Sequence, residues 1–122
     1  MKWETRRAPR KPITVQVHVR VNPAMKETIQ LARETVEAKL VDISTLGVGL
    51  LGKTYLPPGA LIDFDLPKGP LAPGRAPPLQ GAIKITGRIV HTKAQEGLCR
   101  MGVEFTRIDE QDRLLIQQYA GK

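Results

Sequence analysis

Cysteine is nearly absent from this chain, which has only Cys99. That excludes an intrachain disulfide and any multi-cysteine metal site, and it fits a reducing compartment, so the cytoplasm is the expected location. No apolar run approaches the length of a membrane span, and no signal peptide is recognisable, so any membrane association would need a partner. Aromatic side chains amount to 4% of 122 residues. Grooves that hold single-stranded nucleic acid stack bases on several aromatics, so this scarcity counts against a nucleic-acid role. His18 and His91 have no cysteine or carboxylate at metal-ligand spacing, so both are expected on the surface and no metal or cofactor is expected. Ser44 sits in no nucleophile elbow and has no neighbouring base, which leaves a hydrolase unsupported and the chain a non-enzyme. Acidic residues are also few, 12 against 19 lysines and arginines, for a net charge of +7. Such a balance points to an anionic partner: nucleotide, nucleic acid or anionic membrane.

What the sequence does contain is a series of short alternating segments. At this length a single domain is expected, with room for a real core. Ile13, Val15, Val17, Val19 and Val21 alternate with polar residues in a strict period of two, the mark of a strand with one buried face. Asn22-Pro23 ends it. Met25, Ile29, Ala32 and Val36 then recur at helical spacing, which favours a short helix over 25–34, against a strand that begins early. Val36–Ile43 reads as a second strand, Ser44–Gly47 as a turn, and Val48–Leu51 as a third. Ile62, Phe64 and Leu66 define a fourth strand. Pro67 to Pro78 is rich in Pro and Gly and reads as a long, mobile loop without regular structure. Ile83, Ile85 and Ile89 around Gly87 form a fifth strand, and Cys99, Met101, Val103 and Phe105 a sixth, joined by a polar connection around Lys93–Gly97. Asp109 and Asp112 open a closing helix striped by Leu115, Ile116 and Tyr119. The expectation is a mainly β protein, a six-stranded antiparallel barrel with a C-terminal helix.

One motif competes with another at Gly47. Gly47-Val-Gly-Leu-Leu-Gly52-Lys53-Thr54 satisfies the phosphate-loop pattern and the looser dinucleotide pattern G-x-G-x-x-G. Both need a helix opening after the glycines so that backbone N–H groups and the helix N-terminus can bind phosphates. Thr54 is followed by Tyr55-Leu56-Pro57-Pro58-Gly59, where prolines stop a helix after about one turn. Val48, Leu50 and Leu51 suit a buried strand, and Asp63 and Asp65 stand in no alternation of strands with long helices that a nucleotide-binding parallel sheet would require. The match is accidental on this reading.

The other motif is Asp42-x-Ser44-x-x-Gly47, which, together with Arg6-x-x-x-Arg10 in the basic segment 1–12, suggests a split site for a bulky anion. An arginine can grip a phosphate bidentately, pair with the O6/N7 edge of guanine or stack on a base. Fully extended, Arg6 and Arg10 stand roughly 13 Å apart, and Pro9 and Pro12 keep that segment out of a helix. Asp42 can accept hydrogen bonds from ligand N–H groups and Ser44 can bond phosphate or backbone, while Gly47 leaves room for close approach and allows a positive φ. Each element alone has a plainer reading: a solvated basic tail, an Asx-type turn. Arg7 is as readily a surface charge, and Trp3 more readily packs on its own domain than on a base.

Taken in order, R-x-x-x-R, the alternating first strand, D-x-S-x-x-G, Gly87-Arg-Ile-Val, Met101-Gly-Val-Glu-Phe105 and the closing helix resemble the PilZ domain, a bacterial receptor module for cyclic di-GMP. The resemblance implies a six-stranded barrel over 13–122 with an arginine arm over 1–12, the ligand held between arm and turn by Arg6, Arg10, Asp42, Ser44 and Gly47. It also implies a non-enzymatic receptor whose arm orders on binding and which signals to a protein partner in motility, adhesion or exopolysaccharide output. A ligand-independent adaptor of the same fold is the main alternative, and a non-specific nucleic-acid-binding barrel a weaker one.

Overall fold

The computed structural model describes residues 10–22 and 35–121. The expected helix over 25–34 and the arm residues Trp3, Arg6 and Arg7 lie outside the described residues. The strands are β1 (Lys11–Val21), β2 (Thr35–Ile43), β3 (Gly47–Gly52), β4 (Leu61–Pro67), β5 (Ala82–Gln95) and β6 (Leu98–Ile108), followed by helix α1 (Glu110–Ala120). They close into a barrel in the order β1-β2-β3-β6-β5-β4. Every pairing is antiparallel, as the short connections predict.

Alternation decides what fills the barrel. Ile13, Val15, Val17, Val19 and Val21 are all buried while their neighbours are exposed, so β1 supplies one wall of the core. Leu40, Leu50, Phe64, Ile83 and Ile89 arrive from the other strands with no measurable exposure. Truncating one of them, Phe64→Ala for example, would cost about 3–5 kcal/mol through lost burial and the cavity left behind. Helix α1 adds Ile116 and Ala120 to the same cluster. Its start is capped by Asp109, whose side chain accepts from the Gln111 N–H at 2.9 Å. Its last turn is tied to the start of β1. The Tyr119 hydroxyl donates to the Pro12 carbonyl at 3.2 Å, and the Lys11 ammonium sits 4.2 Å from the Tyr119 ring centroid and donates to the Tyr119 carbonyl.

Two connections differ from the sequence expectation. The segment after β4 is not wholly irregular: Gly69–Leu71 forms a 3₁₀ turn with Leu71 buried, and Lys68 reaches Asp112 of α1 at 3.7 Å. Pro70 fits that turn because a first-turn residue needs no N–H, and Leu71 anchors it in the core. The connection expected around Lys93–Gly97 is instead a two-residue hairpin turn, with Glu96 and Gly97 both at positive φ, 52° and 80°. Such a turn matches the twist of the flanking strands, so β5 and β6 pair up to Gln95 and Leu98.

The phosphate-loop look-alike is β3. Its residues Gly47–Gly52 pair with β2 on one side and β6 on the other, so their backbone groups belong to the sheet and form no cradle. Residues 53–60 continue without a helix.

Candidate ligand-binding site

The D-x-S-x-x-G segment folds as a turn held from within. The Ser44 hydroxyl accepts from the N–H groups of Leu46 (3.1 Å) and Gly47 (3.2 Å), and the Ser44 N–H donates to the Gly47 carbonyl at 2.8 Å. Ser44 is 2% exposed, so its hydroxyl shapes the turn from inside and is not presented to a phosphate in this conformation. Gly47 also acts differently from expectation. It is not among the glycines with positive φ, which are Gly59, Gly74, Gly81 and Gly97. A side chain there would run into the Val103 backbone carbonyl, so the glycine lets β3 and β6 approach.

Asp42 faces the other way, and a bulge is the reason. Leu40 pairs with Leu50 but Asp42 pairs with Gly49, which leaves Val41 as an extra residue in β2. An extra residue inverts the alternation beyond it, turning Asp42 outward while Leu40 and Ile43 both stay buried. The same device recurs in β5, where Ile89 pairs with Val103 and His91 with Gly102, leaving Val90 extra and His91 exposed.

Register then joins these residues into one row across the outer wall: Pro12, Asp42, Gly49, Gly102 and His91, each paired with the next. The third and fourth positions carry no side chain, and the residues on either side of them, Asp42 and His91, lean inward over them. A Cβ on Gly49 would lie 2.7 Å from the Asp42 Oδ1, and one on Gly102 would collide with the His91 ring. The glycines therefore make room for the carboxylate and the imidazole to lie against the sheet.

Two arginines complete the arrangement. Arg10 Nη1 donates to Asp42 Oδ1 at 2.5 Å, and Arg100 Nη2 donates to Asp42 Oδ2 at 2.7 Å. The Asp42 side chain is 15% exposed, against 34% for Arg10 and 42% for Arg100. Both guanidinium groups thus keep much of their surface in solvent, and beside them a cavity of about 210 Å³ is lined by Arg10, Gly49, His91, Arg100, Met101 and Gly102. One carboxylate against two guanidinium groups leaves the site net cationic, suited to an anion with flat, hydrogen-bonding rings.

Of the five residues expected at the site, the structure brings Arg10 and Asp42 into direct contact and gives Ser44 and Gly47 to the adjoining turn. Arg6 lies outside the described residues. Arg100 and His91 were not anticipated as site residues. A signal existed in the sequence: Leu40-Val41-Asp42 and Ile89-Val90-His91 share an apolar pair where alternation demands a single apolar residue. Lys53, the key residue of the phosphate-loop reading, lines a separate groove of about 640 Å³ with Gln16, His18 and Lys39. Among the described residues no group of three or more His, Cys, Asp or Glu is placed to hold a metal, and no helix is long and apolar enough to cross a membrane.

Against known proteins, the family model of the PilZ domain matches residues 4–122. The chain belongs to the PilZ domain family, whose members are receptor modules for cyclic di-GMP. Among solved structures it is similar to the Bacillus subtilis inhibitor of motility, MotI/DgrA, with a TM-score of 0.71 at 12% identity. That alignment covers 98% of this chain and 50% of the other, so the chain spans half the length of that protein and the likeness is one of fold. No curated protein matches the sequence.

Proposed function

We propose that this protein is a non-enzymatic receptor for cyclic di-GMP, bound on the outer wall of the barrel between the segment carrying Arg6 and Arg10 and the Asp42–Gly47 turn. The observation that carries this reading is the pairing of Arg10 with Asp42 beside a cationic, glycine-floored cavity in a PilZ barrel. A phosphate takes a guanidinium of Arg10 or Arg6 bidentately. The carboxylate of Asp42 accepts from guanine N–H groups. Ser44 and Gly47 contribute by fixing the turn that aims Asp42. Binding turns Arg10 from Asp42 to the ligand and draws the segment carrying Arg6 onto the barrel, and the altered surface shifts affinity for a protein partner. In this reading the protein acts in the cytoplasm, in keeping with its one free cysteine.

The test is calorimetric titration with cyclic di-GMP, GTP and ATP–magnesium at physiological salt. Saturable binding of cyclic di-GMP alone, lost in Arg10→Ala and kept in Lys53→Ala, is the expected result. Absence of binding by a folded sample, checked at a second temperature, would overturn the receptor reading in favour of a ligand-independent adaptor.

A further inference from the structure

Arg100 has no place in the two motifs that define the expected site, yet it makes the second contact to the central carboxylate. It stands on β6 two residues before Gly102, and the period of two puts it on the same outer face as the glycine floor. Its Nη2 grips Asp42 Oδ2 while Arg10 holds Oδ1, so the two arginines occupy different oxygens. Their backbone settings differ. Arg100 is fixed by ladders to both β3 and β5, whereas Arg10 precedes the first residue of β1.

This arrangement resolves a conflict in the site. Asp42 and an anionic ligand compete for the guanidinium of Arg10, and Asp42 is too enclosed, at 15% side-chain exposure, to be left without a counter-ion cheaply. With Arg100 in place the carboxylate stays paired when Arg10 turns to a phosphate, and stays aimed over Gly49 towards the cavity. Resting on the cyclic di-GMP reading above, we infer that Arg100 is a positioning residue: it holds Asp42 so that Arg10 can pass from carboxylate to ligand phosphate.

A double-mutant cycle with a ligand-free readout tests this. Cyclic di-GMP affinity is measured by calorimetry for Arg100→Ala, Asp42→Ala and the double variant, with thermal melting as the control for folding. Arg100→Ala is expected to weaken binding roughly tenfold, the scale of one charge-assisted hydrogen bond. Arg100→Lys should recover part of that loss. In the Asp42→Ala background Arg100→Ala should cost less than about twofold, because a residue acting through Asp42 has nothing left to hold. An undiminished loss in that background would mean that Arg100 meets the ligand directly, and unchanged affinity in the single variant would mean that it does neither; both overturn the inference. The second readout needs no ligand. The Asp42 χ1 rotamer, read from its three-bond Hα–Hβ couplings, should stay single in Arg10→Ala and become averaged in Arg100→Ala. Should the wild-type protein bind no cyclic di-GMP, the receptor reading falls while this measurement still decides whether Arg100 holds the carboxylate; a single rotamer that persists in Arg100→Ala overturns it.

Discussion

Asp42 and Asp63 both project from the outer wall of the same barrel, and their partners differ in kind. Asp63 on β4 accepts from the Thr86 hydroxyl at 2.7 Å and from the Asn22 amide at 3.1 Å. Thr86 is its direct register partner on β5, and Asn22 follows β1 at once, so sheet pairing alone sets this cluster. Asp42 is instead held by two cations, one of which, Arg10, lies just before the barrel begins. A carboxylate satisfied by neutral neighbours in its own sheet has nothing to exchange. One held by a charged group at the barrel's margin can trade that partner for a ligand, which is what the proposed receptor role asks of Asp42.

The comparison breaks most visibly at Arg10. Arg10→Ala should reduce cyclic di-GMP affinity by about 100-fold, since it removes charge-assisted hydrogen bonds each of ~1.5–3 kcal/mol, and should leave the melting temperature nearly unchanged. Calorimetry and thermal melting on one sample read both. Asp42→Ala should follow at roughly tenfold in affinity, the loss of one good acceptor. Asp63→Ala should do the reverse, costing about 1 kcal/mol of stability in denaturant titration through the lost Thr86 and Asn22 bonds, with affinity intact. A fall in affinity there as large as that for Asp42→Ala would erase the distinction between the two carboxylates. A smaller effect is expected from Gly102→Ala, which displaces the His91 ring: a loss of affinity of about threefold, equivalent to ~0.6 kcal/mol. Lys53→Ala, outside the cavity, should leave affinity unchanged, and any dependence on it would revive the phosphate-loop reading.

Most of the barrel was legible because strand alternation is a local property. β1 needs only its own eleven residues to declare which face is buried, and six such segments with short links point to an antiparallel sheet. The site was legible only in part. Arg10 and Asp42 belong to recognisable spacings, but their contact joins residues 32 apart in the chain, and Arg100 reaches Asp42 across 58. Asp42 and His91 face outward through bulges at Val41 and Val90, and a bulge is set by cross-strand register, which no single segment contains. Leu71 shows the same gap in reverse: a Pro/Gly-rich stretch reads as unanchored until the helix that meets it is in place.

The clasp between β1 and α1 has a consequence for reach. Lys11 and Pro12 are fastened to Tyr119, which anchors the backbone beside Arg10. Arg10, adjacent to that anchor, explores little more than the sweep of its own side chain, and the entropy of bringing it to the cavity was spent when the barrel folded. Its effective concentration at the site is correspondingly high. On the proposed receptor reading a ligand meets Arg10 without further ordering of its backbone, and loosening the clasp by Tyr119→Ala would dilute Arg10 without touching a single contact in the cavity.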